Sequence, residues 1–149
     1  MHDQWDFKCF KDKNGDVIVI LWLKPLGPKA WMSLKRNMEN LACRPIIEWH
    51  KPQPASKIDT SDSIYVIRFK DKNSTQWRIY GFHEIPKYAF VMTNFGTERD
   101  GKYIPPADKC AKQSEAARKV CSSDWEKYVC NCIQRADGVG LRISDPCAG

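Results

Sequence analysis

Apolar and polar residues alternate in two neighbouring segments near the middle of the chain. The alternation runs from Ile64 to Phe69 and again from Trp77 to Phe82, and the polar residues 71–74 separate the two runs. A period of two on each side of a polar turn predicts two antiparallel strands. Arg68 and Arg78 then lie on adjacent strands and share one exposed face. That face is either an ordinary solvated surface or a site for an anion.

The rest of the pattern predicts a mixture of strands and helices. Strands are expected at 5–10 and 88–95, helices at 29–43 and 107–128, and loops at 48–63 and 96–106. The run 17–23 is either a buried strand or a short buried helix, because periodicity alone does not separate the two.

These elements predict an α+β fold in one domain. We expect an antiparallel sheet, made of a three-strand meander at 64–95 and the N-terminal strand, with the helices packed on one face. The domain is predicted to cover residues 1–132. Residues 133–149 have no apolar period and contain Gly, Asp and Pro, so a flexible tail that can be removed is expected there.

Composition adds a modest preference for an anionic partner. The 149 residues carry a formal net charge of +6, which is compatible with a nucleic acid or an acidic protein. No apolar run reaches the roughly 20 residues that a membrane span needs, and the N-terminal segment does not read as a secretory signal. We therefore expect a cytoplasmic protein without a membrane partner.

The seven cysteines allow three interpretations. An odd number without regular spacing favours free thiols over a disulfide framework. A metal site built from Cys121, Cys130, Cys132 and Cys147 is the second interpretation, although Cys130 and Cys132 are spaced too closely for a usual zinc motif. Oxidation, or disulfides within the tail, is the third. The chain contains neither a nucleotide-binding glycine motif nor HExxH, and no cofactor is expected.

Several dispersed segments resemble one protein family. They are "W-x-F-x-x-F-x-D-x-x-G" at the start, "W-x-x-P" at 49–52, "YVIRF", "QWRIYGF", "FVMTNFGTER" and the proline-led last helix. Together they are similar to the HigB-like branch of the RelE/ParE toxin superfamily, over about residues 4–120. The resemblance implies a compact RelE-like fold and a type II toxin that cuts mRNA on the ribosome without a metal. It also implies a cognate antitoxin as a partner.

The resemblance assigns roles to residues of this chain. Arg78 matches the sheet arginine of the family, and Arg99 matches the basic residue after the third strand. Lys102 and Tyr103 fall where the family has its last lysine and, in some members, a tyrosine. Arg78, Arg99 and Tyr103 are therefore expected to be catalytic, and Lys102 to bind RNA.

Three further residues complete the expected site. His83, at the end of a strand, is an expected proton donor. Arg68 on the sheet and Lys57 in the preceding loop are expected to bind RNA. Thr97 and Glu98 stand where the family usually has two lysines, and Glu98 would either repel RNA or act as a base.

Three classes of function remain open at this point. The first is the ribosome-dependent mRNA endoribonuclease. The second is a non-catalytic binding protein on the same fold, such as a phage or mobile-element inhibitor or a ParE-like gyrase poison. The third is a structural or unrelated α+β domain. Arg78, Arg99, Lys102 and Tyr103 favour the first class, whereas Thr97 and Glu98 favour the second.

Overall fold

The computed structural model describes residues 4–50, 55–58, 63–131, 133–136 and 140–143. Its strands are β1 (Asp6–Phe10), β2 (Ala55–Lys57), β3 (Ile64–Lys70), β4 (Gln76–Glu84), β5 (Ala89–Arg99), β6 (Lys102–Ile104), β7 (Val129–Cys130), β8 (Ile133–Ala136) and β9 (Gly140–Ile143). Its α-helices are α1 (Ile18–Leu23), α2 (Pro28–Ala42), α3 (Ala107–Ser123) and α4 (Trp125–Tyr128). Short 3₁₀ helices lie at Lys24–Leu26, Ile46–His50 and Ile85–Lys87.

The sheet contains the predicted meander, but it is larger than expected and mixed. Strands β3, β4 and β5 are antiparallel neighbours, and the whole sheet has seven strands in the order β2-β3-β4-β5-β1-β7, with β6 also paired to β5. The expected purely antiparallel sheet is wrong, because β1 runs parallel to β5. A parallel pair needs a long connection between its strands, and here α1, α2 and the meander provide it.

The helices cover both faces of the sheet, which corrects the prediction that they pack on one face. Helices α1 and α2 pack with Tyr65 and Ile67, and we call this side the α2 face. Helix α3 packs with Ile64 and Val66, and we call this side the α3 face. Successive strand residues point to opposite sides, so the uninterrupted apolar run in β3 provides a surface for helices on each.

A β-bulge in β5 strengthens the contact with α3. The register shifts between Tyr80 and Gly81 of β4. Across the bulge, Thr93 Oγ1 lies 2.6 Å from Ser114 Oγ, and Asn94 Nδ2 donates to the Cys110 carbonyl at 3.2 Å. Two adjacent polar residues of the strand therefore contact one helix, as bulges permit by re-aiming side chains.

The segment predicted as a loop at 96–106 is instead strand and turn. Strand β5 continues to Arg99, and β6 returns beside it. The turn residues Asp100 and Gly101 have φ values of 52° and 75°, which suit a tight two-residue hairpin. The expected helix at 107–128 is divided at Asp124, which caps α4 by accepting from the Lys127 amide.

The C-terminal segment differs from the expectation of a flexible tail after residue 132. Strands β8 and β9 form a hairpin, and Ile133 and Leu141 are 6% and 3% exposed within the main core. Strand β8 contacts β1, and β9 contacts α2. Residues 132, 137–139 and 144–149 lie outside the described residues.

The cysteines fall into two groups. Cys9, Cys43, Cys110 and Cys121 are thiols outside any disulfide, as predicted, whereas Cys130 takes part in a disulfide bond. Burial raises the pKa of Cys121 to about 12, which disfavours the thiolate that a metal needs. Cys132 and Cys147 of the metal hypothesis lie outside the described residues. Disulfides are rare in a reducing cytosol, so the cytoplasmic location stays a prediction.

Candidate functional site

Arg68 and Arg78 form the centre of the site. They are direct cross-strand partners in the β3–β4 ladder, and alternation along β3 places them with Val66 on the α3 face. The prediction that the two arginines share one face is therefore confirmed, but the predicted exposure of that face is wrong at Arg78, which is buried. Burial, and after it the charge of Arg78, lowers the pKa of Arg68. Like charges directly opposite each other are unfavourable, so an anion between them would be stabilising.

Arg78 is more deeply buried than the sequence suggested. It is 6% exposed, and its guanidinium carbon lies 4.0 Å from the centroid of the Tyr103 ring. Its Nη2 lies 3.4 Å from Glu98 Oε2, which is long for a charged hydrogen bond. Its Nε is buried and has no hydrogen-bond partner within the described part of the chain. A buried donor of this kind has unused binding capacity.

The β5–β6 hairpin brings Glu98 and Tyr103 to Arg78. These two residues are direct partners in the hairpin ladder, so they lie on the same side of it. Opposite Arg78 in β5 is Gly96, which has no side chain to compete for the space. Tyr103 is 39% exposed, and the Glu98 side chain is 29% exposed. Both therefore remain accessible to a ligand above the sheet.

Ser56 holds the outer arginine in place. It accepts a hydrogen bond from Arg68 Nη2 at 2.6 Å and lies on β2, opposite Val66. Sequence reasoning missed this residue because β2 is only three residues long and lies within the segment predicted as a loop. The signal available was the brief alternation of Ala55, Ser56 and Lys57.

Arg99 and Lys102 lie elsewhere. They are partners at the tip of the hairpin, one residue further along each strand than Glu98 and Tyr103, and so on its other side. Arg99 lines a different cleft, which lies between α1, β5 and α3 and has a volume of about 720 Å³. The structure does not bring Arg78 and Arg99 together over one phosphate-sized position.

Lys57 and His83 lie on the α2 face, away from the arginine pair. Lys57 is the ladder partner of Tyr65, and His83 is the partner of Phe90. His83 is five residues after Arg78 in the same strand. Side chains an odd number of residues apart point to different faces, so the alternation already predicts that His83 and Arg78 lie on different faces of the sheet. Burial lowers the pKa of His83 to about 3. It is therefore neutral near pH 7 and poorly suited to donate a proton.

The side chains on the α3 face include groups that can transfer protons and groups that can stabilise negative charge. A carboxylate, a phenol and two guanidinium groups lie close together: Glu98, Tyr103, Arg68 and Arg78. A carboxylate can accept a proton and a phenol can donate one. Arginines stabilise charge that develops on a phosphate. The combination suits binding and cleavage of a phosphodiester.

Other classes of site receive no support from the described residues. Among them, no group of three or more His, Cys, Asp or Glu side chains is arranged to hold a metal ion. No helix within the described ranges combines the length and the apolar character needed to cross a membrane.

No protein-family model matches the chain, and no curated protein or solved structure shows significant similarity to it. The resemblance to the HigB-like branch therefore stays a prediction, and the site is interpreted from its own geometry.

Proposed function

We propose that this protein is a metal-free endoribonuclease that cuts mRNA on the ribosome, as the toxin of a type II toxin–antitoxin system. The cleavage chemistry is supported by one observation, the convergence of Glu98, Tyr103 and the pair Arg68–Arg78 on the α3 face. The ribosome, the antitoxin and the RelE-like fold are supported by the sequence resemblance.

In the proposed mechanism Glu98 acts as the general base. Its carboxylate takes the proton of a ribose 2′-OH, and the resulting 2′-oxygen attacks the adjacent phosphorus. Arg68 contacts the phosphate, and Arg78 orients Glu98 and adds positive charge from below. These charges stabilise the extra negative charge of the five-coordinate transition state.

Tyr103 completes the proton transfers as the general acid. Its phenol protonates the 5′-oxygen as the bond from that oxygen to phosphorus breaks. The products are a 2′,3′-cyclic phosphate and a free 5′-OH. Glu98 has gained the proton of the 2′-OH, and Tyr103 has lost its phenol proton to the 5′-oxygen. Proton transfer by each of these groups contributes on the order of 10²–10⁴ to the rate.

A second function is favoured by the covering of Arg78. Because Tyr103 and Glu98 leave only 6% of this residue exposed, the site can also be viewed as a closed ion-pair cluster. On this view the protein is non-catalytic and acts as a phage or mobile-element inhibitor or a ParE-like gyrase poison.

Cleavage of ribosome-bound message distinguishes the two functions. The endoribonuclease should cut a translated mRNA in the presence of EDTA and leave 2′,3′-cyclic phosphate ends, detected by primer extension and end-group analysis. Glu98→Gln should lose cutting on the order of 10²–10⁴-fold, whereas Arg99→Gln, on the other side of the hairpin, should retain it. Growth arrest by wild type and Glu98→Gln alike, without cut message, would favour the non-catalytic function.

A further inference from the structure

A basic groove lies at the open edge of β3, beside the arginine pair. It has a volume of about 550 Å³ and is bounded by the first half of α2 and the ends of β3 and β4. Strand β2 pairs only with residues 65–67 of β3, and from Arg68 onward no other described strand pairs with this edge of β3. We call this cavity the edge groove, and its residues are Lys29, Met32, Ser33, Arg36, Asn37, Arg68, Phe69, Lys70, Asp71 and Gln76.

Hydrogen bonds from α2 fix the walls of the edge groove. Asn37 Nδ2 donates to the Arg68 carbonyl at 2.5 Å, and the Lys70 amide donates to Ser33 Oγ at 3.1 Å. These contacts attach the helix to backbone groups that a neighbouring strand would otherwise use. The groove is therefore a fixed feature of the fold.

The charge of the edge groove is strongly positive. Four of its residues are cationic, namely Lys29, Arg36, Arg68 and Lys70. Asp71 is the one carboxylate among the described residues that line it, and its oxygens are already used within its own turn. Oδ1 accepts from the Asn73 and Thr75 amides at 2.8 and 3.0 Å, and Oδ2 accepts from Trp77 Nε1 at 3.0 Å. The cations therefore dominate the field in the groove.

Arg68 connects the edge groove to the candidate active site. Arg68 is one of the residues that line the groove, and it is also the ladder partner of Arg78. An anionic chain bound over Glu98 and Tyr103 would therefore meet further cations when it continues past Arg68. The exposed ring of Tyr103 adds a surface on which a base can stack.

From this placement we propose that the edge groove binds the backbone phosphates of single-stranded RNA next to the position of cleavage. This inference deepens the proposed function and rests on it for the identity of the ligand as RNA. The three exposed cations Lys29, Arg36 and Lys70 would contact phosphates and carry no acid–base chemistry. An acidic protein segment is the competing ligand for the same charge.

The test measures binding apart from cleavage. A labelled 2′-O-methyl RNA octamer lacks the attacking hydroxyl and stays intact, and its anisotropy is titrated over a range of salt concentrations. Changing Lys29, Arg36 and Lys70 together to Gln should weaken binding about tenfold or more, because three phosphate contacts are lost. The slope of log K against log salt should fall by about 2, at roughly 0.7 per phosphate.

A second triple variant controls for total charge. Lys13, Lys112 and Lys119 are exposed and lie outside the groove lining, so changing them to Gln removes the same charge and should alter binding less than about threefold. Equal losses in the two triple variants, or no octamer binding by wild type, would overturn the inference. Preferential binding of polyglutamate would overturn it in favour of an acidic protein. The 2′-O-methyl octamer cannot be cleaved, so this binding measurement does not depend on catalysis, and failure of the cleavage proposal is seen separately.

Discussion

The buried histidine of the α2 face gives a prediction about stability and pH. The ring of His83 lies 4.7 Å from that of Trp5, 4.4 Å from Trp49, 4.9 Å from Tyr65 and 4.9 Å from Phe90, all between centroids. Its Nε2 is buried without a hydrogen-bond partner in the described part of the protein. Protonation would place a charge among apolar rings, so burial lowers the pKa to about 3.

The sign of the effect follows from proton binding. In the unfolded chain this histidine has an ordinary pKa near 6.5, and in the folded protein the pKa is about 3. Between these values the unfolded state binds more protons, so the free energy of unfolding decreases as pH falls from about 6.5 toward 3. From about pH 7.5 to about pH 5 the decrease from this residue is about 2 kcal/mol, at 1.36 kcal/mol per pH unit.

Urea unfolding of wild type and His83→Phe at about pH 7.5 and pH 5 measures this contribution. Other titrating groups are common to both proteins, so the difference between the two pH-dependent losses isolates His83. Wild type should lose about 2 kcal/mol more than the variant. Equal losses in both proteins would refute the reasoning, because His83 would then titrate as it does in the unfolded chain.

Two substitutions test the packing of the fold. A Cβ added at Gly81 would lie 2.3 Å from the Val91 carbonyl oxygen, so Gly81→Ala should lower the free energy of unfolding by about 3 kcal/mol or more. Gly96→Ala, whose nearest contact would be 3.4 Å, should cost much less, and similar losses would contradict the close approach of β4 and β5 at the bulge. Leu141→Ala should cost about 2–5 kcal/mol in the same unfolding assay, because Leu141 is buried in the core. Arg142→Ala is the exposed control. A negligible effect of Leu141→Ala would contradict the packing of β9 on the core and would favour the expectation of a flexible tail at 133–149.

Periodicity predicted the elements whose residues alternate over several positions. The meander and α2 follow from runs long enough to show a period. The run 17–23 stayed open, and the structure shows the helix α1 at Ile18–Leu23. The β8–β9 hairpin could not be predicted, because its strands are four residues each and their stability depends on contacts with distant parts of the chain.

The candidate site was predictable only in part, for a related reason. The pairing of Arg68 with Arg78 follows from counting outward from the turn at 71–74. Tyr103, which covers Arg78, lies on β6. This strand was not predicted, because the glycines at 96 and 101 indicated a loop. Gly101 is a turn residue with φ of 75°, but Gly96 lies within β5 opposite Arg78. Because β5 continues to Arg99, Glu98 lies within the strand and contacts Arg78, which makes it part of the site.

The rate of RNA cleavage by Glu98→Gln tests the central claim most directly. The substitution keeps the shape of the side chain, and it removes both the carboxylate that accepts the proton and the ion pair with Arg78. In a single-turnover assay on ribosome-bound message, the account predicts a rate that is on the order of 10²–10⁴ lower than that of wild type. Arg99→Gln should remain close to wild type. A Glu98→Gln rate equal to wild type, or wild-type cleavage that is absent, would contradict the assignment of Glu98 as the base.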